Sequence, residues 1–339
     1  YAADPAHHNP YYMNGAQIIW NANVNPYKAG VRSSTPQEKH TVSISGGSEK
    51  TSYYASLGYF DQDGIYKFNT DKFKRYNFML NVSSKITDWF RTDFKSNYSR
   101  NTYLRPVNPS GKGGWWIAMS QEPNRNVFMP LKTPADAPIP NAYTGNILSY
   151  MQYGSTDFDD NSTLLLSVSP TITPIKNWNI KADISYNAQL SHNKTVIPLL
   201  GKVENDWNPA DETTDYTNPS NISKDYNTTY DYTINAYTDY TLDLHDHHLY
   251  GLAGYNQEYN KYDDLYGLGN GIINNSVPVL DLTSGQPVPP QDQESDWSTR
   301  GAFYRFTYNY KGKYLLESNG RYDLTSRFPS YSRGKLFPG

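Results

Sequence analysis

The run Tyr226–Leu244, YNTTYDYTINAYTDYTLDL, alternates almost without a break from Thr228 onward. Thr228, Tyr230, Tyr232, Ile234, Ala236, Thr238, Tyr240, Leu242 and Leu244 share one parity. Thr229, Asp231, Thr233, Asn235, Tyr237, Asp239, Thr241 and Asp243 share the other. Side chains of a strand point to opposite faces with period two, so one face is apolar and aromatic and the other acidic and amide-rich. At ~3.3 Å per residue the run spans roughly 60 Å, against ~17–20 Å for a globular strand. A long amphipathic strand with no helical partner predicts an all-β fold, a transmembrane antiparallel β-barrel with its apolar face to lipid.

Working outward, the same alternation recurs in His40–Gly46, Thr51–Phe60, Phe73–Ser83, Asp88–Ser99, Leu164–Ile172, Trp178–Leu190, Leu249–Lys261, Thr299–Tyr310 and Lys313–Tyr322, giving a partial barrel of about ten strands. In Trp178–Leu190, Trp178, Ile180, Ala182, Ile184, Tyr186, Ala188 and Leu190 oppose Asn179, Lys181, Asp183, Ser185, Asn187 and Gln189. A one-residue slip would turn Lys181 to lipid, at a cost of about 2–4 kcal/mol at the midplane.

Connections alternate in length. Gly46–Lys50, Ser84–Thr87, Thr173–Asn177, His245–His248 and Lys311–Gly312 are tight; 101–158, 191–225 and 262–297 are long, and 61–72 is moderate. Barrels of outer membranes keep short turns on the periplasmic side and long loops outside. Residues 1–39, punctuated by Pro5, Pro10, Pro26 and Pro36, read as an irregular segment leading into the barrel of 40–339.

Composition fits. The 339 residues include 32 tyrosines, whose amphipathic rings suit membrane interfaces and carbohydrate contact. A net charge of −3 gives no basic field for nucleic acid, and zero cysteines exclude disulfides, thiolate nucleophiles and Cys-ligated metals. No stretch approaches the ~20 apolar residues of a membrane helix.

HTVSISGGSEKTSYYASLGYFDQDGI (His40–Ile65) and RGAFYRFTYNYKGKYLLESNGRYDLTSRFP (Arg300–Pro329) closely resemble hairpins of SusC/RagA-type TonB-dependent transporters, YKGKYLLE and NGRYD–SRFP being recurrent family signatures. The resemblance covers roughly Pro36–Gly339. It implies a ~22-stranded outer-membrane barrel closed by a plug. It also implies energised import of oligosaccharide or peptide through a TonB complex, with a SusD-like surface lipoprotein as lid. Plug and TonB-contact segments are expected outside this stretch. RGKLFPG at the end, and Leu324 where relatives often carry a small residue, depart from the pattern.

Among site candidates, Trp115 and Trp116 follow a glycine run in the longest loop and could stack on sugar rings or anchor the loop; Tyr143 and Trp207 are weaker candidates of that type. Arg321 and Glu317 fall opposite Tyr314, Leu316 and Tyr322 and are expected to face lumen and plug. No resident cofactor is expected, save Ca²⁺ at a loop base formed by Asp157, Asp159 and Asp160. Asp61-Gln62-Asp63-Gly64 opens like a calcium loop but lacks the later ligands, and the histidines of His245–His248 are expected to splay apart. Gly111–Gly114 lacks the phosphate-loop pattern, and no catalytic triad or carboxylate pair stands out, so no enzyme is read. The resemblance implies TonB-dependent import, glycan ahead of peptide. A passive porin or adhesin barrel and a soluble all-β glycan-binding sandwich are the alternatives.

Overall fold

The computed structural model describes residues 11–15, 17–68, 71–107, 130–137, 143–144, 146–153, 155–198, 202–203 and 220–339. Its main element is one antiparallel sheet of eleven strands. In chain order these are β3 (Gln37–Gly47), β4 (Thr51–Asp63), β5 (Lys72–Lys85), β6 (Phe90–Val107), β8 (Ser155–Ile175), β9 (Trp178–Ile197), β11 (Asn221–Leu244), β12 (His247–Asn270), β13 (Gln291–Tyr310), β14 (Tyr314–Thr325) and β15 (Gly334–Pro338). Each pairs with its neighbour in sequence along the sheet, so the sheet is an open up-and-down arc with β3 and β15 at its edges. It is one part of a barrel wall. β1 (Tyr11–Asn14) pairs with β2 (Gln17–Trp20), and β7 (Tyr143–Thr144) pairs in parallel with β10 (Lys202–Val203).

Tight hairpins set the register. Asn177, His245, Lys311 and Gly312 all take positive φ (68°, 49°, 56° and 67°), the twist that short hairpin turns demand. Leu244 therefore pairs with His247, and the ladder runs unbroken to Asn221 and Asn270. Every long strand extends past the sequence-based bounds into what reads as loop. The connections corresponding to 101–158, 191–225 and 262–297 shorten to 108–154, 198–220 and 271–290. At 24 residues, β11 reaches roughly 80 Å. The added ends mix polar residues with scattered apolar ones such as Leu104, Phe158, Leu265 and Leu268 and keep no period-two apolar face, so hydrogen-bond pairing, not apolar patterning, extends them.

Register partners share a face, and two chemically distinct faces result. Val42, Leu57, Phe78, Tyr98, Leu164 and Ala188 lie on one row of the apolar face. Ile184 and Ile234 are partners, as are Tyr186 and Tyr232, and Trp178 and Tyr240. Among these side chains Val42, Leu57 and Ile184 are solvent-open at 71 %, 61 % and 45 % exposure, while the small Ala188 is buried. No sheet or helix packs over the belt among the described residues, which is the arrangement of a lipid-facing wall and excludes a sandwich core there.

Buried side chains gather at the long-loop end. The helices are short: α1 (Pro26–Gly30), capped by the Asn25 side chain on the Lys28 amide, and α2 (Ile147–Tyr153), whose Leu148 amide donates to Asn146 Oδ1 at 2.9 Å. Leu148 and Met151 are fully buried against Val24, Ala29, Val31, Tyr66, Phe68 and Leu131. The described residues of the 1–39 segment thus form β1, β2 and α1 and share a small core with two later loops. A second cluster joins Val196 and Ile222 to Ile272 and Leu280, folding the 271–290 connection onto the strand ends.

Candidate functional site

The polar face is a set of cross-strand rows. Asn179 Nδ2 and Lys181 Nζ converge on Asp239 at 2.8 and 2.9 Å, and the Asp239 side chain is only 10 % exposed. Asn187 Nδ2 and Asn260 Nδ2 donate to the two oxygens of Asp231 at 3.4 and 2.5 Å, while Asn256 donates to Asn235 at 2.6 Å. Higher up, Ser191 donates to Asn161 at 2.5 Å and Asn161 to Asn101 at 3.4 Å. Alternation brings these groups to one side; antiparallel register brings them within reach of each other.

Arg105 of β6 forms an ion pair with Asp157 and lies 3.3 Å from Asp159. Asn193 bridges the same carboxylates at 2.5 and 2.7 Å, and Thr195 donates to Asp157 at 3.0 Å. This corrects the expectation of a loop-base calcium trio. Asp157, Asp159 and Asp160 lie inside β8, and Asp160 points to the opposite face, where Arg100 holds it through both oxygens at 2.8 and 2.6 Å. One cation cannot gather all three. Among the described residues, no group of three or more His, Asp or Glu side chains is arranged to hold a metal.

Other sequence candidates separate in the same way. Asp61 and Asp63 lie at the end of β4 and pair with Lys72 at 3.4 and 3.1 Å. His247 Nδ1 lies 2.7 Å from the Tyr308 hydroxyl and His248 Nδ1 2.7 Å from Asp243, so the imidazoles splay. Glu317 and Arg321 share the polar face with Lys181 and Asp239, but both are engaged: Glu317 with Arg305 at 3.1 Å, and Arg321 with Asp323 at 2.5 Å. Tyr143 falls on β7, inside the long connection. Trp115, Trp116 and Trp207 lie outside the described residues.

Sequence reasoning missed the aromatics on the polar face. Phe60, Phe73 and Tyr103 form an edge-to-face series with centroids 5.9 and 6.2 Å apart. The Arg75 guanidinium sits 5.6 Å from the Phe60 ring, and Arg327 lies 4.2 Å from Trp297. The signal was present: each ring occupies the polar parity of its strand, where solvation alone would select a polar residue.

Beside this series, the 64–71 connection ends at Asp71. Burial pushes the Asp71 carboxyl up from its ordinary range, and one of its oxygens is buried without a hydrogen-bond partner. Burial likewise raises the neighbouring Tyr66 phenol.

No protein-family model matches the chain. It is 24 % identical over 88 % of its length to the TonB-dependent receptor P26 of Formosa agariphila, and 23 % identical over 98 % to the TonB-dependent receptor P3 of the same organism. It spans 29 % and 32 % of those relatives. In fold it superimposes on the RagAB peptide transporter with a TM-score of 0.67, at 21 % identity and covering 94 % of this chain and 35 % of that one. The RagAB peptide importer in its open-open state gives 0.70, at 20 % identity and covering 96 % and 36 %.

Proposed function

We propose that this chain, a segment of a SusC/RagA-type TonB-dependent receptor barrel, lines an outer-membrane import route for oligomeric nutrients, glycan ahead of peptide. In this reading a SusD-like surface lipoprotein covers the long loops, and a TonB complex acts through segments outside this stretch. The carrying observation is the chemistry of the polar face. Its rows are amides, hydroxyls and carboxylates already matched to one another, such as Asp231 between Asn187 and Asn260. A sugar oligomer offers hydroxyls that both donate and accept, so it can exchange with such a wall in many registers. The Phe60–Phe73–Tyr103 series adds ring surface at the long-loop end.

No bond is made or broken. Loops and lid capture the oligomer, and energised movement of the plug opens the lumen along this wall. The test is uptake by cells carrying the full-length receptor, with neutral oligosaccharides and oligopeptides of matched size offered in parallel. Glycan uptake that stops when TonB is deleted is the expected result. Uptake persisting without TonB would establish a passive pore, and selective peptide uptake would overturn the ligand class.

A further inference from the structure

Above the lipid-facing belt the outward faces of the strands become charged, and several cations there are matched with acids. Lys72 bridges Asp61 and Asp63 at 3.4 and 3.1 Å, Lys74 reaches Asp61 at 3.8 Å, and Lys261 meets Glu294 at 3.1 Å. Lys194 of β9 and Lys224 of β11 differ. They are direct register partners on the parity of Ile184 and Ile234, and neither makes an ion pair among the described residues. Like charges directly opposite on one face repel. Both are partly buried, so water screens them incompletely.

Their surroundings leave the repulsion uncompensated. The next outward pair down the strands is His192 and Tyr226, with rings 4.7 Å apart. On β8, Phe158 is the partner of Lys194, and Asp160 is committed to Arg100. The next pair up, Val196 and Ile222, is sealed by Ile272 and Leu280. The height is also defined. Lys194 lies four residues beyond Leu190, the top of the β9 belt. That is ~13 Å along the strand, or roughly 9 Å along the membrane normal at a tilt of ~45°. This is the depth of lipid headgroups.

We propose that Lys194 and Lys224 together bind the phosphate of an outer-leaflet lipid headgroup. A phosphate placed between two ammonium groups removes the like-charge repulsion and supplies its unesterified oxygens as acceptors to their donors. The site rests on the outer-membrane reading, and a bound lipid would brace the β9–β11 seam from outside.

The test uses the full-length receptor extracted in mild detergent, with retained lipid counted by native mass spectrometry. The unmodified receptor is expected to carry phosphorylated lipid, and Lys194→Gln with Lys224→Gln about tenfold less. Lys176→Gln with Lys313→Gln, at the short-turn end, should match the unmodified receptor. Equal retention in all three overturns the site. Protection of the two lysines from amine acylation is measured with vesicles of phosphorylated lipid and with inorganic phosphate. Equal protection by inorganic phosphate overturns the lipid assignment. Heat-modifiable migration reports barrel assembly separately, so its absence in the unmodified receptor counts against the membrane reading and not against the lysine pair.

Discussion

Lys181 of β9 and Asp239 of β11 meet at 2.9 Å on the face opposite Ile180 and Ala182. The pair locks register, because a one-residue slip would part them and carry the ammonium to the lipid side. Ala182→Lys should therefore impair barrel assembly, by about 2–4 kcal/mol at the midplane, while Asp183→Lys is tolerated. Heat-modifiable gel migration in detergent compares the two, and equal behaviour would contradict the assignment of faces.

Removing one member of the pair tests its contribution. Asp239→Ala strands Lys181 and leaves Asn179 without its acceptor, so it should lower stability by about 1–3 kcal/mol. Asp239→Asn, which keeps an acceptor for Asn179, should lose less. Denaturant midpoints measured on detergent-folded protein rank the two variants.

Chelation addresses the clustered acids of β8. With Asp157 and Asp159 held by Arg105, and Asp160 by Arg100, EDTA should leave the melting temperature of the folded receptor unchanged. A drop on chelation that calcium reverses would show that the carboxylates bind metal.

Asp71 gives a pH dependence with a definite sign. Burial raises its carboxyl pKa in the fold, so the folded loop binds a proton more readily than the unfolded chain. As pH rises from about 4, the unfolded value, through the raised folded value, this group's contribution turns against the folded loop. Protection of 64–68 in hydrogen exchange should therefore increase on acidification across that window. Asp71→Asn should flatten the response, and an unchanged slope would exclude Asp71 as its source.

Trp115→Ala combined with Trp116→Ala separates two roles for that pair. Ligand contact predicts weaker capture, about 1–3 kcal/mol for each lost stacking surface, with normal barrel yield. Loss of yield together with capture would mark them as anchors. Titration calorimetry alongside expression level distinguishes the cases.

The belt was legible in the sequence because lipid enforces a strict code: Trp178–Leu190 shows it without interruption and Thr228–Leu244 almost so. Beyond the membrane the code lapses. Asn221–Lys224 and Tyr262–Asn270 are strand because their partners continue; Ile222, Leu265 and Leu268 are scattered there and form no period-two apolar face. Leu148 and Met151 were hidden for a different reason, since their small core draws on loops far apart in the chain. Asp157 and Asp160 looked like neighbours in a loop; only their parity within β8 shows that they stand on opposite sides of a wall.

The matched rows of the polar face also set how the wall treats what passes. Side chains such as Asn161, Asp231 and Asn256 already satisfy one another, so a solute gains little by displacing any of them. Under the import reading proposed above, grip would then be left to the rim, and this face would serve as a low-friction lining along which cargo slides without being trapped.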